Sequence, residues 1–194
     1  MIVLHGLGDS IEGYRWLPPA LNLPWLNYAL VNAPDGYFGG YSWYGIQGDS
    51  NPGVVRSRKL LFELLDHFRE EGFLTESTYL FGFSQGCLMT WEIGMRYPHC
   101  LAACIGISGY VHQVDTLLTE ISPLAKQQHF LITHGYQDPL IPLVPVRDTV
   151  KKIKRQGFDV DWREFQKEHT IAGAEEIDLI RQFVLQHRKG STQH

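Results

Sequence analysis

The feature that most limits what this sequence can fold into is its regular alternation of short apolar runs with longer segments of helical periodicity. Six runs rich in β-branched and aromatic residues predict strands. Most of them are continuously apolar, which is typical of strands covered on both faces. They span residues 2–5, 28–33, 78–83, 102–108, 130–134 and 160–165.

The segments between these runs predict helices. In the first of them, three leucines and a phenylalanine form one apolar stripe, and Gly72 follows as a C-cap. The four predicted helices span about residues 54–71, 85–98, 146–156 and 173–187. Alternating strands and helices predict an α/β protein with a compact, mostly parallel sheet of about six strands flanked by helices.

Length and composition predict one domain. The chain has 194 residues, of which 44% are hydrophobic, so it is long enough to bury a core of its own. We assign residues 1–188 to this domain and residues 189–194 to a polar C-terminal tail. The formal net charge of −4 comes from mixed signs, without the clustered Lys and Arg that phosphate backbones require. We therefore expect no nucleic-acid partner.

The sequence also favours a cytoplasmic location. No apolar run approaches the length of a membrane span, and no signal-peptide pattern is present, so we expect no integral membrane segment. The cysteines are odd in number (Cys87, Cys100 and Cys104) and lie among apolar residues, which favours free thiols in a reducing compartment.

The first candidate for chemistry follows the third predicted strand. The pentapeptide Gly82-Phe83-Ser84-Gln85-Gly86 fits the pattern G-x-S-x-G, between a predicted strand and a predicted helix. This pattern forms a sharp, strained turn that exposes the serine hydroxyl, and its glycines avoid collisions with the neighbouring strand and helix. The alternative is an ordinary turn with a capping serine. The context favours Ser84 as a nucleophile.

A nucleophilic serine needs a base, and the base needs an acid that orients it. On this kind of fold the chain order is serine, acid, histidine, with all three in loops at the carboxyl ends of strands. Asp138 follows the fifth predicted strand, and His169 follows the sixth. The alternatives are a turn aspartate and a surface histidine. His112 is the one rival histidine at that edge, but it precedes any suitable acid.

The loop after the first strand is a candidate for oxyanion stabilisation. Its Gly6-Leu7-Gly8 sequence suggests that the backbone N–H groups of Leu7 and Gln85 together form an oxyanion hole. A phosphate-binding loop is the alternative, but the third glycine of a dinucleotide motif is missing.

The segment 35–52 is long, lacks periodicity and is rich in glycine and aromatic residues. We predict that it is a loop that forms one wall of an acyl-binding cleft, because ligand sites are largely apolar and aromatic. Phe38, Tyr41 and Trp43 are the candidate substrate-binding residues. The alternative is that these aromatic side chains pack in the core, and Trp43 is the one that most favours it.

Together these motifs resemble the phospholipase/carboxylesterase family of α/β-hydrolases, which includes the acyl-protein thioesterases. The matching stretches occur in family order: residues 4–9, 42–44, 82–86, 134–142 and the lone His169. Cys87 stands where the family often has glycine, and Gly45 where it often has aspartate. The resemblance implies Ser84, Asp138 and His169 as a catalytic triad, with Leu7 and Gln85 as the oxyanion hole.

The resemblance further implies the α/β-hydrolase fold and a carboxylic ester or thioester as the substrate, either a small molecule or a larger acylated one. It implies no cofactor, and the sequence predicts no metal site. A dienelactone-type hydrolase is less compatible, because its nucleophile is a cysteine. A non-catalytic α/β-hydrolase that binds a ligand or a partner is the alternative from another class. The oligomeric state stays open.

Overall fold

The computed structural model describes residues 1–189, so the predicted tail lies outside the described residues except for Lys189. The strands are β1 (Ile2–Leu4), β2 (Ala29–Val31), β3 (Asp35–Tyr37), β4 (Gly40–Ser42), β5 (Tyr79–Phe83), β6 (Ala103–Ile107), β7 (His129–Gly135) and β8 (Asp159–Phe165). The helices are α1 (Leu17–Leu21), α2 (Asn51–Glu70), α3 (Gln85–Arg96), α4 (Val114–Thr119), α5 (Leu143–Arg155) and α6 (Gly173–Gln186).

Six strands form one parallel sheet in the order β2-β1-β5-β6-β7-β8. All six predicted strands are present, which confirms the predicted α/β architecture. Because every neighbouring pair is parallel, the loops that follow the strands collect at one edge of the sheet. That carboxyl edge carries the residues discussed below.

Each face of the sheet is covered by a separate apolar cluster. On one face, Leu61 of α2, Ile93 of α3 and Val150 of α5 belong to the larger cluster. On the other face, Leu17 of α1 and Ile180 of α6 belong to the smaller one. Complete burial of such a side chain contributes about 1.5–3 kcal/mol, so both layers hold the sheet in place.

The segment 35–52 contains more regular structure than the sequence predicts. β3 and β4 form an antiparallel hairpin, with Gly36 opposite Tyr41. Its two-residue turn places Phe38 at φ 43° and Gly39 at φ 90°, as a turn matched to the strand twist requires. A phenylalanine at positive φ is rare, so the first position of the turn carries no usual turn signal. The second position is Gly39, which adopts a positive φ readily. The segment also ends early, because α2 begins at Asn51.

Two further observations concern the expected location. No helix within residues 1–189 is long and apolar enough to cross a bilayer. Cys87, Cys100 and Cys104 are free thiols, and Cys87 and Cys104 are buried.

The contact of α3 with β1 generates a stability prediction. A Cβ atom at Gly86 would lie 2.1 Å from the carbonyl oxygen of Leu4. Because both partners are backbone, neither yields easily, and we expect Gly86→Ala to destabilise the fold by about 2–3 kcal/mol. Thermal unfolding measures this loss. The control is Gly45→Ala, where an added Cβ would meet no atom of the other described residues within 4 Å, apart from its chain neighbours. An equal melting temperature for the two variants would contradict the prediction.

Candidate active site

Ser84 occupies the sharp turn between β5 and α3. Its backbone has φ 54° and ψ −113°, a conformation that non-glycine residues rarely adopt, and such strain costs about 1–3 kcal/mol. Its N–H donates to the carbonyl oxygen of Ile107 on β6, at 2.9 Å. The turn thus holds the serine at the N-terminus of a helix, where backbone N–H groups favour negative charge.

Ser84, His169 and Asp138 form one hydrogen-bonded chain. His169 Nε2 lies 2.9 Å from Ser84 Oγ, and His169 Nδ1 lies 2.8 Å from Asp138 Oδ2. Because a carboxylate only accepts hydrogen bonds, Nδ1 carries the ring proton and Nε2 is left to accept one. The imidazole is therefore oriented to take the proton of the Ser84 hydroxyl.

The Asp138 carboxylate is fixed by its own turn. Its Oδ1 accepts the N–H groups of Leu140 and Ile141, each at 2.9 Å. Burial by itself would raise the pKa of Asp138, but the hydrogen bonds from Ile141, His169 and Leu140 together hold that pKa below its usual value. Asp138 therefore stays ionised at neutral pH, with its second oxygen free for His169.

His134 is a residue of this site for which the sequence suggested no role. It is fully buried at the end of β7, and its Nε2–H donates to the carbonyl oxygen of Ile141 at 2.8 Å. The same nitrogen lies 3.6 Å from Asp138 Oδ2. Burial lowers the pKa of His134, so the ring stays neutral and braces the turn that carries Asp138.

The two N–H groups predicted to bind an oxyanion belong to Leu7, in the loop after β1, and to Gln85, the residue after Ser84. Leu7 and Gln85 both line the cavity beside the serine. Within residues 1–189, neither N–H donates to a protein acceptor. The Gln85 side chain is engaged elsewhere: its Oε1 accepts the Trp43 N–H at 2.9 Å, and its Nε2 donates to the Tyr44 carbonyl at 2.9 Å.

A cavity of about 400 Å³ opens beside Ser84. Its walls away from the serine are mainly apolar and aromatic: Tyr44, Ile46, Tyr110, Leu140 and Ile141. The hydroxyl groups of Tyr44 and Tyr110 lie 3.3 Å apart. We call this space the acyl cavity.

The candidate substrate-binding residues Phe38, Tyr41 and Trp43 do not line the acyl cavity. Phe38 lies at the hairpin turn with 95% of its surface exposed. Trp43 is buried, and its Nε1 donates to the carbonyl oxygen of His5 at 2.9 Å. Tyr41 exchanges backbone hydrogen bonds with the loop 8–9. The segment 35–52 does reach the cavity, but through Tyr44 and Ile46.

His112, the rival histidine, lies elsewhere. Its Nε2 is 3.2 Å from Asn51 Oδ1 at the start of α2. Among the described residues, no group of three or more His, Cys, Asp or Glu side chains is placed to hold a metal ion.

A buried ion pair holds both ends of the loop that carries His169. Lys167 Nζ lies 2.6 and 2.9 Å from the two carboxylate oxygens of Glu176 on α6. Glu176 also accepts the Ala172 N–H and the Thr133 hydroxyl. Both charged side chains are almost fully buried. This pair could not be predicted from the sequence, because Lys and Glu are usually solvent-exposed.

Comparison with known proteins identifies the family of this chain. The family model described as Phospholipase/Carboxylesterase matches residues 1–187, and the chain belongs to that family. Acyl-protein thioesterase 1 of Schizosaccharomyces pombe is 29% identical over 157 residues, which cover 74% of this chain and 70% of that protein. Acyl-protein thioesterase 1 of Gibberella zeae is 25% identical over 95% of this chain and 88% of its own length.

Solved structures show the same fold. The crystal structure of esterase PE8 has 27% identity and a TM-score of 0.82, and it covers 95% of this chain and 90% of its own. Arabidopsis thaliana SOBER1 has 21% identity and a TM-score of 0.89 over 97% of this chain and 98% of its own. The resemblance inferred from the motifs and the α/β-hydrolase fold are confirmed. At the level of the family, the expected carboxylesterase or thioesterase class is confirmed as well.

The buried ion pair generates a stability prediction. Lys167→Met leaves the Glu176 carboxylate buried without its cation, so we expect a loss of about 3–5 kcal/mol in the free energy of unfolding. The double variant Lys167→Met/Glu176→Gln removes both charges and is expected to lose less than the sum of the two single variants. Denaturant titrations measure all three.

The control for this experiment is Arg15→Met, which removes an exposed pair with Glu12. Exposed pairs contribute about 0–1 kcal/mol, so this variant should stay close to the parent. Strict additivity of the Lys167 and Glu176 losses would show that the two charges are not coupled.

Proposed function

We propose that this protein is a serine hydrolase that cleaves carboxylic esters or thioesters through an acyl-enzyme intermediate. The observation that carries the proposal is the continuous hydrogen-bonded chain from Asp138 through His169 to Ser84. Membership of the phospholipase/carboxylesterase family supports the same chemistry. Acylated small molecules or acylated proteins are the corresponding substrates.

In the first half-reaction, Ser84 Oγ attacks the carbonyl carbon while His169 Nε2 takes the hydroxyl proton. Negative charge develops on the carbonyl oxygen, and the N–H groups of Leu7 and Gln85 donate to it. The tetrahedral intermediate then expels the alcohol or thiol, which receives the proton from His169. Asp138 stabilises the imidazolium ion throughout. The product of this half-reaction is an ester of Ser84.

In the second half-reaction, His169 takes a proton from water, and the resulting hydroxide equivalent attacks the acyl-serine carbonyl. Collapse of the second tetrahedral intermediate releases the carboxylic acid and returns the proton to Ser84 Oγ. The acyl group lies in the acyl cavity, where it contacts Tyr44, Ile46 and Leu140. Ser84 thus lies between the hydrogen-bonded chain that carries out the proton transfer and the apolar cavity that binds the acyl group.

A cytoplasmic location is part of this proposal. It is supported by the three free thiols, of which Cys100 is half-buried and thus accessible to oxidants.

The nucleophile assignment predicts a set of kinetic results. Ser84→Ala and His169→Ala should each lower kcat about 10⁴-fold or more on a p-nitrophenyl ester, and the double variant should be little worse, because triad members act as a unit. A fluorophosphonate probe should label the parent protein and not Ser84→Ala. The matched control is Ser77→Ala, just before β5 at the opposite edge of the sheet. A parent protein that neither reacts with the probe nor hydrolyses esters would favour the non-catalytic alternative.

The acyl cavity predicts which residues set the chain-length preference. Ile46→Ala and Leu140→Ala should lower kcat/KM for long-chain p-nitrophenyl esters about three- to tenfold and leave the acetate nearly unchanged, because each removes apolar contact with the distal chain. Phe38→Ala is the control, since that side chain lies outside the cavity. A changed preference in Phe38→Ala alone would restore the sequence-based assignment.

A further inference from the structure

A second cavity, of about 360 Å³, meets the acyl cavity at His169. Asp9, Phe83 and His169 line both spaces. The far walls of the second cavity include Trp16 and Ile171, and neither lines the acyl cavity. His169 therefore stands at the boundary between two separate spaces, while Ser84 and the oxyanion donors Leu7 and Gln85 line only the first.

This arrangement orients a bound ester or thioester, because its two halves can occupy different cavities. An ester or thioester has an acyl half and a leaving-group half on opposite sides of its carbonyl carbon. The leaving group must lie within reach of His169, because it is His169 that returns the proton to it. The acyl cavity already accommodates the other half, so the second cavity is the space available to the departing alcohol or thiol.

The lining of the second cavity indicates what kind of leaving group it accepts. Asp9 contributes a half-buried carboxylate, whose Oδ1 accepts the N–H of Ser10 at 2.7 Å. None of the ion pairs within residues 1–189 involves Asp9. Trp16 adds an aromatic ring that is 40% exposed. Among the described residues, no lysine or arginine lines this space.

We propose that the second cavity is the leaving-group subsite and that Asp9 makes it select alcohols or thiols bearing a positive charge. This inference rests on the proposed function. A carboxylate attracts an ammonium group and repels a carboxylate, and an exposed indole ring binds cations on its face. Asp9 is therefore a specificity-determining residue, and Trp16 is the surface on which the cationic group packs.

Three butyryl thioesters with the same acyl group test the proposal: one of thiocholine, one of neutral thioglycerol and one of anionic mercaptopropionate. Released thiol measures kcat/KM for each. We expect the parent protein to prefer the cationic over the anionic ester about tenfold at low ionic strength. The preference should shrink between about 0.02 and 0.5 M salt, because the Debye length falls from roughly 20 Å to a few ångströms. This measurement needs no variant.

Asp9→Asn keeps the acceptor oxygen for Ser10 and removes the charge, so the ratio of cationic to anionic kcat/KM should fall toward one. The matched control is Asp159→Asn, which removes one charge at the amino end of β8, the opposite edge of the sheet; its ratio should equal that of the parent. A cationic-to-anionic ratio near one in the parent, or an unchanged ratio in Asp9→Asn, overturns the leaving-group subsite. Hydrolysis of the neutral thioester in the same experiment still upholds the proposed function. Loss of all three activities in the parent, with no fluorophosphonate labelling, overturns both.

Discussion

Helix α3 crosses β1 and β5 at a distance that leaves no room for a Cβ atom at Gly82 or Gly86. An added Cβ at Gly82 would lie 2.1 Å from the Gly86 carbonyl oxygen, so the strand and the helix press directly on each other across the turn. Ser84 lies between these two glycines, in the strained conformation of the turn and at the carboxyl edge of the sheet. In the proposed mechanism, His169 and Asp138 can act only on a serine that is held in this position.

The histidine is held by a different principle. A loop of surface residues would leave His169 free to rotate, but here a buried ammonium and carboxylate link the two ends of its loop to α6. Burying charges is expensive, and a buried pair often adds little net stability. Its value lies in geometry: one carboxylate accepts from Lys167, Ala172 and Thr133, and so connects the loop to the helix and to β7. Burial lowers the pKa of Lys167, and the Glu176 carboxylate opposes that shift.

The sequence was sufficient for the parallel sheet and for the convergence of Ser84, Asp138 and His169 at one edge. Both depend on local patterns: continuous apolar runs mark the strands, and chain order assigns the loops. It was insufficient for the β3–β4 hairpin, because Phe38 takes a positive φ that no turn propensity predicts. The roles of His134 and Lys167 could not be predicted from the sequence either. Both residues act through burial against partners that are distant in sequence, and a single amino-acid sequence does not reveal which polar residues are buried.

The segment 35–52 shows the same limit of sequence-based prediction. It also shows what the β3–β4 hairpin contacts. The sequence predicted that Tyr41 and Trp43 contact substrate. In the structure they contact the two elements that carry Leu7 and Gln85, the residues of the proposed oxyanion hole. Tyr41 pairs through its backbone with Gly8 and Asp9, beside Leu7. The Trp43 N–H donates to the side chain of Gln85. Strand β4 and the residue that follows it therefore link the loop that carries Leu7 to the Gln85 side chain, although these two elements lie far apart in sequence. In the proposed mechanism the oxyanion donors must be in place when the charge develops, and these contacts link the two elements that carry the donors before substrate binds.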